Sequence, residues 1–250
     1  MQEILKVSSI KKTFLKDGES NTVINDVSFT VKKGQCVGIV GESGCGKSTT
    51  VRVILGLLNF DEGEIILSGN KLSPQNKIRL KEIQGKIQMV FQMPTESFNP
   101  RIKLGKSIKE AMKKILTSEE KEVKLKKLFE ECQLSYDLAD RYPKEVSGGQ
   151  CQRAAIARAL ASDPQLLICD EATSALDVTV QYKIMNLLKN IQRNRNMAIL
   201  FICHDIALVQ QFCDYVLVMD KGKIIEEGIP NEVILNSSQM FTKKLINSVI

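Results

Sequence analysis

The residues with the clearest chemical meaning are Gly41-Glu42-Ser43-Gly44-Cys45-Gly46-Lys47-Ser48, followed by Thr49. They match G-x-x-x-x-G-K-[ST] in full. Glycines at this spacing let successive backbone N–H groups turn inward onto phosphate oxygens. A helix that starts at the lysine aims its positive end at the same anion. Lys47 can then reach the β- and γ-phosphates, and Ser48 can coordinate Mg²⁺. Gly-rich turns before helices are common, so the motif needs an apolar strand before it and a periodic helix after it. CVGIV and TTVRVILGLL supply both. The chemistry implied is binding of a nucleoside triphosphate with its Mg²⁺, by residues 41–49.

A second site is acidic. The apolar run QLLIC ends in Asp170-Glu171. A carboxylate at the C-terminal end of a buried strand stands at the sheet edge where α/β folds bind ligands. Asp170 suits Mg²⁺, directly or through water. Glu171 is placed to polarise an attacking water as general base. A strand-end acid can instead cap the next helix, but the phosphate loop in the same chain favours metal and base.

The elements that must position these groups follow from periodicity. Residues 3–7 and 27–31 alternate as strands do, EGEIILSG reads as a strand closed by a turn, and KIQMVFQ is strand-like. From about 93 to 160 the pattern turns helical and charged, with IKEAMKKIL and EKEVKLKKLFEECQL as helices. QLLICDE and AILFICHD are buried strands, VQYKIMNLLKNIQ and IALVQQFC are helices, and YVLVMDKGKIIEEG is a hairpin turning at DKG. Buried strands alternating with helices predict a mostly parallel sheet covered on both faces. One domain over 1–250 results, with a core of 1–92 and 161–250 and a helical insertion at 93–160.

Composition narrows the class. Of 250 residues, 43% are hydrophobic and 26% charged, which excludes a disordered chain, a collagen-like fibre and a small disulfide scaffold. Trp is absent and aromatics are 5%, which argues against sugar-stacking clefts and base-stacking platforms. The seven cysteines are odd in number and form no C-x-x-C pair, so they read as reduced thiols of a cytosolic chain. No apolar run approaches the roughly 18 residues of a membrane span, and the first residues lack a signal-peptide core. Membrane contact would therefore come through a partner. The net charge of +6 is spread along the chain. Its densest stretch, KEAMKKILTSEEKEVKLKKLFEE, interleaves glutamates and reads as an ion-paired, solvated surface rather than a nucleic-acid footprint.

With both sites in view, the chain resembles the ATP-binding subunits of ABC transporters over nearly its whole length. Val146-Ser147-Gly148-Gly149-Gln150 stands between the phosphate loop and LLICDE, where that family carries LSGGQ. Gln92 matches the Q-loop, Ser174-Ala175-Leu176-Asp177 the D-loop, His204 the switch histidine, and Phe14 the aromatic that stacks on adenine. The resemblance implies an α/β fold: a P-loop NTPase (RecA-like) core with an antiparallel β subdomain and an inserted α-helical subdomain. It implies two such domains head to tail around two ATP molecules. Ser147, Gly148 and Gly149 then contact the γ-phosphate bound by the partner. His204 holds the γ-phosphate and the attacking water, and Gln92 contacts Mg²⁺ and links the site to the helical insertion. The departures are mild: Val146 for Leu, Cys151 for a polar residue, Cys203 for Thr, Phe14 for Tyr. None removes a catalytic group.

Finer features, IQMVFQMPTESFNPR, LFICHDIALVQQFCD and SSQMFTKKLINSV, resemble the peptide and nickel importer group, and within it the second ATPase chain. That implies a different ATPase partner in a heterodimer, two transmembrane permeases and an extracytoplasmic substrate-binding protein. The chain would sit peripherally on the cytoplasmic face of the membrane. Peptides, nickel and metal–chelator complexes all remain open as cargo. A soluble ABC ATPase acting on nucleic acid or the ribosome is the alternative. Its repair-type members carry long insertions before the signature and its ribosomal members carry two cassettes, and neither feature is present. A P-loop kinase would have no use for VSGGQ.

Overall fold

The computed structural model describes residues 2–16, 19–91, 93–112, 114–170 and 177–247. Two long strands open the chain, β1 (Glu3–Lys16) and β2 (Glu19–Lys32), paired antiparallel. They are nearly three times the length that the 3–7 and 27–31 alternation predicts. Register shifts near Ser9 and Asp26, both at positive φ, move side chains between faces and erase the period-two pattern. With β4 (Glu62–Leu67) and β5 (Asn70–Lys71) they form an antiparallel sheet ordered β2-β1-β4-β5.

The second sheet holds the site. Its strands are β3 (Cys36–Val40), β6 (Ile87–Val90), β7 (Leu166–Asp170), β8 (Ala198–Ile202), β9 (Tyr215–Asp220) and β10 (Lys223–Gly228), in the order β10-β9-β3-β8-β7-β6. All neighbours are parallel except β9 and β10, whose hairpin turns on Lys221 and Gly222, both at positive φ. The helices are α1 (Lys47–Ile54), α2 (Asn76–Ile83), α3 (Pro94–Ser97), α4 (Leu104–Glu110), α5 (Ser118–Glu131), α6 (Gly148–Leu160), α7 (Val178–Arg195), α8 (Ile206–Phe212), α9 (Pro230–Asn236) and α10 (Met240–Asn247). Every residue of β3 and β8 is buried, as a sheet covered on both faces requires. Cys36, Val40, Cys169 and Phe201 face the helical side with α5 to α8. Val37, Ile39, Ile168 and Leu200 face α1 and the antiparallel sheet. One cover is thus largely a second sheet rather than helices.

The helix predicted at IKEAMKKIL lies earlier and ends at Glu110. Thr117 starts the next helix as an extended N-cap, exchanging hydrogen bonds with Glu120, and a residue in that conformation cannot continue a helix. The charged segment is ion-paired as read, with Lys109 on Glu122, Lys124 on Asp163 and Arg195 on Glu131. All seven cysteines are buried free thiols, and burial pushes Cys151 up to about 11. Among the described residues no helix is long and apolar enough to cross a membrane.

The helix behind the phosphate loop is fastened at its far end by Arg79, which is fully buried. Its Nε donates to Val53 O at 3.0 Å, its Nη atoms donate to the carbonyls of Ser73 and Leu58, and its Cζ lies 4.9 Å from the Phe60 ring centroid. These acceptors include the negative end of α1, which favours a cation there. Arg79→Ala leaves three carbonyls without their donor and is expected to destabilise the chain by about 3 kcal/mol, read as a lower denaturant midpoint at unchanged slope.

Candidate nucleotide site

The parallel strands converge on one edge. Ile39 of β3, Ile202 of β8 and Asp170 of β7 stand level across three adjacent strands. The phosphate loop leaves β3 at Gly41, and His204 follows β8 by two residues. Asp170 is the last residue of β7, half-buried. Lys47, Asp170 and His204 therefore share the carboxyl edge, the ligand-binding edge of open α/β sheets.

The loop is built as a cradle. Gly46 sits at φ +112, and a Cβ there would lie 2.7 Å from Val23 O, so only glycine lets β2 lean on the loop. Lys47 is buried, and its Nζ donates to the carbonyls of Gly41 (2.6 Å) and Glu42 (2.9 Å). A buried ammonium held by neutral carbonyls is poised for an anion. Ser43, Gly44, Gly46, Lys47, Ser48 and Thr49 line a 250 Å³ recess. Cys45 is buried beneath it, with its Sγ 3.7 Å from Lys47 Nζ. Glu42 turns its carboxylate away to Lys244 of α10 (2.9 Å), which leaves only its backbone for the recess. No side chain caps α1, so its first N–H groups point at whatever the recess holds. The polyanion and its cation fit this chemistry: N–H donors and an ammonium for phosphate, and the Ser48 hydroxyl and Asp170 carboxylate as hard oxygen donors for Mg²⁺.

His204 lies exposed in a short bend between β8 and α8. Asp205 fixes that bend by capping α8, accepting from the N–H groups of Ala207 and Leu208. Cys203 N donates to Ile39 O, tying the bend to the phosphate-loop strand.

Ser147 belongs to a different place. It N-caps α6 through a reciprocal exchange with Gln150 (3.3 and 2.9 Å). A Cβ on Gly149 would come within 2.9 Å of Val180 in the first turn of α7, whose N-cap is Asp177. Two helix N-termini thus meet at the signature turn. The 490 Å³ depression there is lined by Ser147, Gly149, Gln150, Arg153 and Lys183, among others, and shares no residue with the phosphate-loop recess. The two depressions are thus separate parts of the chain's surface.

Phe14 is exposed on the β1–β2 ribbon opposite Asn21, two residues from the Val23 that touches Gly46. Lys12 Nζ lies 5.5 Å from its ring centroid, a contact the sequence reading missed. Gln92, Glu171 and Ser174–Leu176 lie outside the described residues. Flanking Gln92, the exposed side chains of Phe91 and Met93 line a 410 Å³ groove with Glu96, Ser97 and Asp170. Arg158 of α6 donates to Ser97 O (2.6 Å) and Oγ (2.9 Å) and stacks 4.1 Å from the Phe98 ring, joining the signature helix to the groove wall.

The chain is similar in sequence and fold to known proteins. The family model described as "ABC transporter" matches residues 24–174. The oligopeptide transport ATP-binding protein OppF of Haemophilus influenzae is 42% identical over 98% of this chain and 74% of its own length. OppF of Bacillus subtilis is 38% identical over 99% and 83%. Among solved structures, cbiO1 of Clostridium perfringens, part of an ABC transporter complex, superposes with TM-score 0.85 at 27% identity, covering 100% of this chain and 95% of that one. A dimeric ATP-binding cassette, MJ0796, in a post-hydrolysis state with ADP and Pi, superposes with TM-score 0.79 at 28% identity, covering 91% and 99%.

Proposed function

This chain belongs to the ABC transporter family, and on that premise we propose that it is the ATPase subunit that drives uptake of oligopeptides. It binds ATP and hydrolyses it to ADP and phosphate. The relatives reported above are named for oligopeptide transport, which places peptide ahead of nickel or metal–chelator complexes. The observation that carries the mechanism is the pair of half-sites: a phosphate recess and a separate serine–glycine turn with no residue in common. A nucleotide in one chain's recess needs a second chain to cover it.

In that reading Phe14 takes the adenine, residues 41–49 hold the phosphates, and Lys47 neutralises their charge. Ser48, Gln92 and Asp170 would hold Mg²⁺, which when bound would offset the charge building on the phosphate oxygens. Glu171 takes the proton from water as its oxygen attacks the γ-phosphorus, while the bond from that phosphorus to the bridging oxygen breaks and ADP leaves with the electron pair. His204 holds the γ-phosphate oxygens and that water. Ser147 and Gly149 donate to the nucleotide held by the partner chain, and Asp177 fixes the turn beside them. Closure buries the water and completes both sites, and loss of the γ-phosphate releases the clamp. The groove at Phe91 and Met93 receives a permease helix.

The assembly we propose is a second, different ATPase chain, two transmembrane permeases and an extracytoplasmic substrate-binding protein, with this chain on the cytoplasmic face and no nucleic-acid partner. Co-purification from detergent extract tests it. Permeases and a second ATPase are expected in the eluate, with ATP turnover rising severalfold on adding peptide-loaded binding protein. Recovery of ribosomes or nucleic acid in their place overturns the reading.

A further inference from the structure

The ring proposed to meet adenine stands on an exposed part of the fold. β1 pairs with β4 only as far as Lys11, opposite Glu62. From Lys12 to Lys16 it pairs with β2 alone. A two-stranded ribbon is marginal in water, so Phe14 would be a loosely held platform unless something tethers it. Asp61, the residue before β4, does so. Its backbone N–H donates to Lys11 O at 2.9 Å. One carboxylate oxygen accepts from Thr13 N at 2.7 Å, and the other accepts from Lys12 Nζ at 2.8 Å. Lys12 is mostly buried, with 14% of its side chain exposed, and its ammonium lies over the Phe14 ring. A cation on a ring draws on its electron-rich face, so Lys12 both fixes the ring's orientation and shields one approach to it. Hydrogen bonds to the Asp61 carboxylate outweigh the cost of its burial and hold its pKa below the usual value, so the tether is ionised at neutral pH.

We propose that Asp61 is a positioning residue for nucleotide binding: it anchors Thr13 and Lys12, and through them presents Phe14 to the purine base. The proposal rests on the reading of Phe14 as the adenine platform. It predicts a defect that depends on the base. The phosphate recess is untouched by Asp61, so a ligand without a base binds as before.

The test titrates the full chain with Mg-ATP and with Mg-tripolyphosphate by calorimetry, alongside thermal unfolding. Asp61→Ala is expected to weaken ATP about fivefold, the loss of charge-assisted hydrogen bonds acting through the platform, and to leave tripolyphosphate within about twofold of wild type. Asp61→Asn keeps an acceptor for Thr13 N and is expected to fall between. Lys12→Met, which spares the Thr13 bond, is expected to lower the ATP-to-tripolyphosphate preference less than Asp61→Ala. Phe14→Ala is the control and should lower that preference about tenfold, the worth of one base stack. If Phe14→Ala leaves the preference intact, the platform reading falls and the proposal with it. If Phe14→Ala lowers it and Asp61→Ala does not, or Asp61→Ala weakens both ligands equally, the proposal alone falls.

Discussion

Replacing Glu171 with glutamine in the assembled transporter is expected to lower ATP turnover about a thousandfold, within the range a general base contributes, while ATP affinity stays near wild type. In sequence this residue follows Asp170, which ends β7 level with Ile202 of β8. Glutamine keeps the size and polarity of the side chain but cannot accept the proton that water must lose. The groups that grip the nucleotide are elsewhere: the N–H groups of the loop, the uncapped end of α1 and the buried Lys47. Binding and chemistry are thus separable by one substitution. Phosphate release measures the second and calorimetric titration the first. A further consequence follows from mass action. A clamp that closes on ATP and opens only after hydrolysis should accumulate closed, so Glu171→Gln chains should elute on gel filtration as ATP-dependent pairs with the second ATPase chain. Near-normal turnover in the assembled complex would remove Glu171 from the role of base and leave the phosphate recess as a binding site without its proton acceptor.

Parts of this site are local in sequence and therefore readable from it. Residues 41–49 form one turn between one strand and one helix, so type and spacing suffice. The same holds for Asp170, since a buried strand that ends in acid announces its own edge. Ser147 is different: a Ser-Gly-Gly turn before a helix is a common cap, and only the resemblance gave it a partner's nucleotide. The β1–β2 ribbon hid behind its bulges, which shift residues to the other face and break alternation. α2 hid because only Arg79 and Ile83 are buried on it, too few to make an apolar stripe. Strand order was unreadable in principle, because β3 lies between β8 and β9, strands far along the chain whose pairing depends on crossovers rather than on neighbours. The tethers around the site also join residues that are distant in sequence. Lys12 meets Asp61, and Glu42 meets Lys244 near the other end of the chain. All four are charged side chains, and nothing local in the sequence distinguishes them from the many other lysines and acids.

Alanine at Ser147, introduced in this chain and at the matching serine of its counterpart, is expected to lower turnover of the complex about a hundredfold, as loss of a preorganised donor to developing phosphate charge does. The same change should leave ATP affinity of the isolated chain unaltered. The asymmetry follows from the two half-sites. In the single chain the hydroxyl oxygen accepts from Gln150 N and caps α6, and it lines a depression that contains none of the phosphate-loop residues. Its hydrogen remains available to a ligand arriving from outside. Losing the cap alone costs about 1 kcal/mol of helix stability, which a 250-residue fold with two large apolar clusters can absorb. Under the proposed head-to-tail arrangement, losing the donor removes the contact by which one chain senses the other's γ-phosphate. Threonine retains both the cap and the hydroxyl, so Ser147→Thr should recover most of the turnover, which separates a lost donor from a frayed helix. The ATP-dependent pairing of Glu171→Gln chains provides the second readout: adding Ser147→Ala should abolish it. Were Ser147→Ala to weaken ATP binding by the isolated chain, the serine would be acting on its own nucleotide, and the head-to-tail arrangement could not stand.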